Sequence, residues 1–413
     1  MKQNPMKESK KMKNSKKKRV LVAMSGGVDS SVSAAILQDQ GYDVVGMTMQ
    51  VWDHTRPESD IKEGYGTCCS SVDVEDARSV CQKLNIPFYM LNCETRFKEQ
   101  VIDKFISSYM KGHTPIPCID CNTYLKFDHL VQKMRELECD YLATGHYASI
   151  EKTTTGKHYI CKSVDDWKDQ TYFLFTISPS IIPKLLFPVG NLEKQEVRKI
   201  AEKKGLNVFS KKDSTGLCFV GSGGYASFIK ENIKGDKSVP GPIKHYPSGE
   251  EIGRHHGLYK FTYGQRKGLG VSYKYPLYVV KVDTENNTLW LGEEQWLYRS
   301  KVRINKLNWL DEVIDGELLQ VKIRFHHIGS PARIYKEDDS ILLNFKEPQK
   351  AVTPGQAAVL YRGQYLVGGG SIYSGHELPL HSVFLKGHTL KEKSKRTSFL
   401  KEHTLSEKSN RTN

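Results

Sequence analysis

The apolar run Arg19-Val20-Leu21-Val22-Ala23-Met24 feeds directly into Ser25-Gly26-Gly27-Val28-Asp29-Ser30-Ser31, and a helical pattern follows over Ser30–Gln40. Few folds accept this unit. A short, unbroken apolar strand bounded by Gly and Ser reads as buried on both faces, which is the habit of a parallel sheet. Val32, Ala35 and Ile36 share one helix face, and Gly41 suits the helix C-terminus. Strand, glycine turn and helix N-terminus together aim backbone N–H groups at an anion, with serine hydroxyls as further donors. The glycines let a phosphate approach the main chain. The loop lacks the GxxxxGK(S/T) pattern of a Walker A loop and does not match GxGxxG.

The alternation continues. A strand over Val44–Val51, a helix over Val74–Leu84, a strand over Pro87–Leu91 and a helix over Thr95–Lys111 precede a loop. A helix over Leu125–Leu137, a strand over Asp140–Thr144 and a helix over Lys194–Lys204 come next. Strand and helix in turn predict an α/β domain with a doubly wound, mostly parallel sheet. After about residue 240 the pattern changes to short strands between turn signals: Leu277–Val282, Leu318–Phe325, Ala332–Tyr335, Ile341–Phe345 and Ala357–Tyr361. These predict a small C-terminal β-barrel. Phe384–Leu390 recurs as Phe399–Leu405, a repeat with a period of 15. Two polar copies have little to bury, so they are expected to form a dispensable tail.

The net charge of +14 invites a nucleic-acid reading, but nearly all of it sits in the tails. Nine Lys/Arg against one Glu in residues 1–19, and eight against three Glu in 384–413, account for all but one of those charges. No apolar run reaches the roughly 18–20 residues of a membrane span. The start is lysine-rich without an apolar core, so neither a secretory signal nor an arginine-rich transit peptide is expected. Nine irregularly spaced cysteines argue for a reducing compartment, and the cytoplasm is the expected location.

Two cysteine loops offer chemistry. In Gly112-His113-Thr114-Pro115-Ile116-Pro117-Cys118-Ile119-Asp120-Cys121-Asn122, the prolines are expected to keep the loop out of helix. Cys121 would then fall at the start of the Leu125–Leu137 helix, where a thiol is acidified. In Asp213-Ser214-Thr215-Gly216-Leu217-Cys218-Phe219-Val220-Gly221, the preceding Lys211-Lys212 pair would also favour a thiolate. Cys81 and Cys139 read as structural, Cys93 and Cys161 carry no motif, and the vicinal Cys68-Cys69 pair is read as structural rather than as a sulfur relay.

The serine–glycine loop resembles the PP-loop, SGGxDS, of the ATP pyrophosphatase family, whose members bind ATP for attack at the α-phosphate. The further motifs make the resemblance specific. GxTPxPxxxCNxxxKF from Gly112, ATGHYA at Ala143–Ala148, KDQTYFL at Lys168–Leu174 and LFPVG at Leu186–Gly190 look like the tRNA 2-thiouridylase family. KKDSTGLCFVG at Lys211–Gly221, GQRKGLG at Gly264–Gly270 and TPGQAAV at Thr353–Val359 continue it in order. The resemblance covers roughly residues 19–372.

It implies an adenine nucleotide α-hydrolase-like fold with a small central domain and a C-terminal barrel. The expected divisions are a disordered basic tail over 1–18, the PP-loop catalytic domain over 19–212 and a central tRNA-contacting domain over 213–282. The barrel would occupy 283–380 and the repeat-bearing tail 381–413. Ala23, Met24, Ser25, Gly26, Gly27, Val28, Asp29, Ser30, Met49 and Gly145 would lie at ATP, which is expected with Mg2+. Cys121 matches the family's nucleophile and Cys218 its persulfide carrier. Ile116, Pro117 and Cys118 would face the target base. Lys168, Asp169, Gln170, Arg324 and Phe325 would contact tRNA, with His146 and Gln356 at further contacts.

The implied reaction is ATP-dependent adenylation of the C2 oxygen of a wobble uridine, then sulfur transfer from a cysteine persulfide to give 2-thiouridine, AMP and pyrophosphate. The sulfur would come from a persulfide donor protein, and a Cys121–Cys218 disulfide would remain for reduction. In one alternative, Cys121 frees hydrosulfide before C2 is attacked. Cys118 stands where many relatives carry Asp, so Cys118, Cys121 and Cys218 could instead ligate an iron–sulfur cluster. Zinc lacks an evident fourth ligand. Phe325 stands where many relatives have Tyr, which would remove a hydroxyl contact. Competing readings are another adenylating PP-loop enzyme, such as a 4-thiouridine synthase, and a non-catalytic ATP- or RNA-binding protein. A 4-thiouridine synthase usually adds RNA-binding or rhodanese modules that are not visible here, and an amidotransferase-linked synthetase or lysidine-type ligase would not need two loop cysteines. Intact Asp29, Ser30, Cys121 and Cys218 argue against the non-catalytic reading.

Overall fold

Alternate residues of the first strand are buried in opposite directions, and this fixes the layers of the nucleotide domain. The computed structural model describes residues 17–51, 71–213, 216–221, 223–233 and 239–373. In β1 (Arg19–Ala23), Val20 and Val22 pack with Val32 and Ala35 of α1 (Val28–Asp39) and with Ala77 and Val80 of α2 (Ser71–Lys83). Leu21 faces the other way, into a core with Phe97, Phe105, Leu125, Leu130 and Met134. Those residues belong to two helices, 94–110 and 117–136, that cover the second face. A strand buried on both faces needs helices on both sides, so the expected doubly wound arrangement is present.

β2 (Asp43–Gln50), β3 (Phe88–Asn92), β4 (Tyr141–Thr144) and β7 (Leu185–Leu186) complete a five-stranded sheet in the order β3-β2-β1-β4-β7. All its pairings are parallel. The order reverses beside β1, which opens a crevice past the C-terminal ends of β1 and β4. The serine–glycine loop and the Ala143–Ala148 motif both leave the sheet there.

The helix that carries Cys118 and Cys121 departs from expectation. It begins at Pro117, eight residues before the expected Leu125, and runs without a break to Glu136. Proline at the first helical position lacks only an N–H that the helix leaves unbonded, and its fixed φ suits the first turn. Pro117 therefore starts the helix rather than excluding it. Cys118 occupies the first turn, and Cys121 lies one turn further in, where the backbone widens to π geometry over Cys121–His129.

The C-terminal barrel closes through β12 (Tyr298–Trp309), β15 (Ser340–Lys350), β14 (Ser330–Glu337), β13 (Leu318–Lys322), β16 (Ala357–Arg362) and β17 (Tyr365–Ile372). Closure is made by β12 against β17, with Ile304 opposite Ile372. Val302, Ile304, Val321, Ile334, Leu343 and Leu360 fill the interior. β13 ends at Lys322, so Arg324 and Phe325 stand on the following turn and not in a strand. A hairpin unforeseen in the sequence, β5 (Ala148–Lys152) and β6 (His158–Lys162), leaves the parallel domain and adds to the barrel at β17. Lys157 and Arg362 both pair with Asp311, which pins hairpin to barrel.

Between the two lies a four-stranded mixed sheet in the order β10-β11-β8-β9. Its strands are β8 (Pro240–His245), β9 (Glu251–His256), β10 (Tyr278–Asp283) and β11 (Thr288–Gly292). Leu277–Val282, expected among the barrel strands, belongs here. The expected division at 282/283 falls within β10, which pairs with β11 from Tyr278↔Gly292 to Asp283↔Thr288. Residues 1–16, Cys68-Cys69 and the 15-residue repeat lie outside the described residues. No helix of the described residues is long and apolar enough to cross a membrane.

Candidate active site

The loop after β1 is shaped by its own side chains and by a neighbour. Ser30 Oγ accepts from the Ser25 amide at 3.1 Å and donates to the Gly27 carbonyl at 3.1 Å, which folds the turn onto the start of α1. Gly26 adopts φ +68°, and a Cβ there would lie 2.1 Å from the Asp73 carbonyl oxygen of α2. Only glycine fits. Gly145, leaving β4, approaches so closely that a Cβ would meet the Ser30 amide at 2.6 Å. The start of α1 thus presents its amides at the crevice between the two strands.

A cavity of about 180 Å³ opens there. Of the residues expected at ATP, Ala23, Met24, Ser25, Asp29, Ser30, Met49 and Gly145 line it. Gly26, Gly27 and Val28 lie within the same loop and first turn but are not among its lining residues. Cys121 and Cys218, 97 positions apart in the chain, both line this cavity. His146 and Gln170 also line it. Met47, Val51, Phe97, Lys126 and Thr144 complete the wall. None of these five was singled out from the sequence, although Lys126 stands inside the cysteine motif.

Charge around the loop is organised by two lysines. Lys194 Nζ contacts both Asp29 oxygens at 2.7 and 2.8 Å and Asp213 at 2.9 Å. Tyr147 donates its hydroxyl to Asp29 at 2.9 Å, and Asp213 also receives Lys168 at 2.6 Å and Arg198 at 2.8 Å. Burial pushes the Asp213 carboxyl up, but Lys168 and Lys194 outweigh it and hold the group below the usual carboxylate range. Asp213 opens the segment that carries Cys218, so this network joins the phosphate loop to the second cysteine. Lys211, of the pair ahead of the second cysteine loop, is held by carboxylates: its Nζ contacts Asp73 at 2.7 Å, Asp76 at 2.5 Å and the Gly26 carbonyl at 3.0 Å. It clamps α2 against the loop.

His146 Nδ1 pairs with Thr144 Oγ1 at 2.6 Å. Burial, reinforced by the charge of Lys126, lowers its pKa well below the ordinary value, so the ring is neutral near pH 7. Gln170 accepts from the Tyr147 amide at 3.0 Å. Asp169, expected at tRNA, is buried and directed inward: it accepts from Thr171 Oγ1 at 2.8 and 2.9 Å and approaches Lys322 at 3.5 Å. Lys168, half-buried, is the partner of Asp213. Gln356 donates to the Thr114 carbonyl at 2.9 Å, and Thr114 donates to Pro354 at 2.9 Å. The barrel's Thr353–Val359 motif therefore braces the loop ahead of the cysteine helix. Ile116, Pro117 and Cys118 stand at that helix start, outside the cavity lining. Arg324 is exposed, and Phe325 packs on Phe173 with ring centroids 4.5 Å apart.

The three-thiolate set does not assemble. Cys118 is exposed and not part of the cavity wall that holds Cys121 and Cys218. Among the described residues no group of three His, Cys, Asp or Glu side chains is gathered to hold a metal ion. Cys81, Cys93, Cys139 and Cys161 are buried, and burial pushes their thiols up to about 12, 11, 11 and 12, which makes them inert.

Three family models match in succession: a tRNA methyl transferase HUP domain over residues 18–222, a tRNA methyl transferase PRC-barrel domain over 226–293 and an aminomethyltransferase beta-barrel domain over 299–372. A protein of Geotalea uraniireducens named tRNA-specific 2-thiouridylase MnmA is 44% identical over 363 residues, covering 87% of this chain and 96% of its own length. The protein of the same name from Clostridioides difficile is 44% identical over 359 residues, with 86% and 98% covered. That from Symbiobacterium thermophilum is 46% identical over 362 residues, with 86% and 92% covered.

Proposed function

The chain belongs to the tRNA-specific 2-thiouridylase family, and from that premise we propose that it uses ATP to activate a tRNA uridine and replaces the 2-oxygen with sulfur carried on Cys218. One observation supports the division of labour: Cys121 and Cys218 share a cavity with the phosphate-binding loop. A carbonyl oxygen is a poor leaving group. The uridine O2 attacks the α-phosphate, pyrophosphate departs, and the oxygen leaves later as part of AMP. The α1 amides and Ser25 and Ser30 suit the phosphates, and Lys126 in the cavity wall suits charge that develops as they separate. Magnesium takes phosphate oxygens with one or two carboxylates and keeps several waters, and Asp29 is a carboxylate of the wall that would face it.

Sulfur then comes from Cys218. A donor protein loads this residue as a persulfide, whose outer sulfur attacks C2 of the adenylated base and expels AMP. The Cys121 thiolate attacks the inner sulfur, the S–S bond breaks toward the base, and a Cys121–Cys218 disulfide remains for reduction. The target base must be unpaired to present C2, as an anticodon wobble uridine is. Neutral His146 and Gln170, which line the cavity, are assigned to its recognition. Lys168, Arg324 and Phe325 are assigned to tRNA around the cavity, with Ile116, Pro117 and Cys118 beside the base and Gln356 bracing their loop. Asp169 acts through its own loop. A reducing cytoplasm suits a cycle that depends on opening a disulfide.

The test is Cys218→Ser, assayed by mass spectrometry of nucleosides from tRNA incubated with ATP and a persulfide donor. No 2-thiouridine is expected, with tRNA binding retained. Thiolation at the wild-type rate would overturn the persulfide assignment.

A further inference from the structure

Outside the cavity, two large side chains stand open to solvent on adjoining loops. Trp167 is 83% exposed on the loop after β6, and Ile328 is 95% exposed on the turn after β13. His326, on the same turn, lies with its ring centroid 6.3 Å from that of Trp167 at an interplanar angle of 38°. An isolated exposed apolar residue such as Ile328 needs no explanation, but Trp167 continues through His326 an ordered series. Buried Tyr172 packs on Phe173 at 5.5 Å, Phe173 on Phe325 at 4.5 Å, and Phe325 on His326 at 4.5 Å. The inner end lies beside the cysteine helix: the Phe173 carbonyl accepts from Asn122, the neighbour of Cys121 in the cavity wall, at 3.0 Å.

From this geometry we infer that Trp167 and His326 form a stacking platform for an unpaired base of the substrate RNA, one neighbouring the uridine held in the cavity; the inference rests on tRNA being the substrate. The loop is built before any ligand arrives. Asp165 Oδ1 accepts from the Trp167 and Lys168 amides, both at 3.1 Å, and Asp165 Oδ2 accepts from the Lys194 amide at 3.1 Å. The indole is thus held outward by its backbone. Gln170, in the cavity wall, is three residues on, at most about 10 Å of chain. Arg324, two residues before His326, is exposed; one guanidinium nitrogen donates to the Lys350 carbonyl at 3.1 Å, and the remaining donors can meet the phosphate beside a stacked base. An aromatic face with an adjacent cation is what single-stranded nucleic acid recognises without regard to base identity. A docking protein would gain nothing from an aromatic series that leads inward to the reacting cysteine.

The experiment uses the full chain, ATP, a persulfide donor and tRNA, with initial rates of 2-thiouridine formation measured against tRNA concentration. Trp167→Ala is expected to raise KM for tRNA by roughly 5- to 150-fold, as loss of one base stack does, with little change in kcat. Trp167→Phe restores most of the affinity, and His326→Ala shows a smaller rise. Saturating tRNA quenches the tryptophan emission of the wild type more than that of Trp167→Phe. A wild-type KM for tRNA in Trp167→Ala overturns the platform alone, as does a KM raised for the sulfur donor but not for tRNA. A wild-type enzyme that forms no 2-thiouridine overturns the substrate reading and the platform with it.

Discussion

Replacing Lys194 by Met removes a charge from between two carboxylates and from over the Tyr147 ring, whose centroid lies 5.6 Å from the ammonium, while keeping an unbranched side chain of similar length. The lysine side chain is 12% exposed, Asp29 30% and Asp213 26%. Loss of one member of a fully buried pair costs roughly 3–5 kcal/mol, because the remaining charge is stranded. Here the cost is smaller. Both carboxylates reach solvent, Tyr147 still donates to Asp29, and Lys168 and Arg198 still hold Asp213. A loss of about 2 kcal/mol follows, in the range of one charged hydrogen-bonded contact. Urea unfolding of the nucleotide domain at pH 7.5, followed by circular dichroism, measures it, and tRNA-dependent pyrophosphate release gives the functional effect. KM for ATP should rise about tenfold, a difference of about 1.4 kcal/mol, since an uncompensated Asp29 now faces the triphosphate. Adding Asp29→Asn to Lys194→Met should recover part of the stability, because no orphan charge remains. Strict additivity of the two changes, or a loss under about 0.5 kcal/mol, would refute the reasoning.

Gly26→Ala should cost about 3 kcal/mol and abolish ATP binding, because it combines a left-handed backbone with a Cβ 2.1 Å from the Asp73 carbonyl oxygen; isothermal titration with ATP checks this. Asp213→Asn tests the depressed carboxylate. Its stabilising effect is present above the unfolded value of about 3.9 and disappears as pH falls through the lower folded value. The stability gap between wild type and variant should therefore hold from pH 7 to about 5 and close below about 4. Alkylation of the native protein at pH 8, mapped by peptide mass spectrometry, should label exposed Cys118 quickly. Cys81, Cys93, Cys139 and Cys161 should react only after unfolding.

The nucleotide loop was legible because its turn is local: strand, glycine turn and helix start are adjacent residues, and the serine hydrogen bonds that fold the turn stay within Ser25–Ser31. Cys121 and Cys218 stood out by their local motifs for the same reason, although the cavity they share was not visible there. The misread helix start shows where local reading weakens. Proline before Cys118 is compatible with a loop or with a first helical turn, and packing of Leu125 and Leu130 into the sheet's second face favours the turn.

Other features have no local signature. Lys194 meets Asp29 across 165 positions, and Lys211 meets Asp73 across 138. A lysine looks the same in sequence whether it is solvated or clamped between carboxylates. The β5–β6 hairpin carries a strand pattern, yet its place depends on the barrel: β12 covers β17 only over Gly368–Ile372, which leaves Tyr365 to pair with Cys161 of β6. Asp169 sits in a motif expected at RNA but turns inward because Thr171 and Lys322 offer it partners.

By itself the sequence determined which groups are available: a glycine turn at a helix start, and two cysteines set in distinctive motifs. Tertiary structure decided which groups share a cavity and which charges neutralise one another. Backbone preferences and hydrophobic period act over a few residues, whereas side chains far apart in the chain meet only when the packed core fixes where each loop emerges.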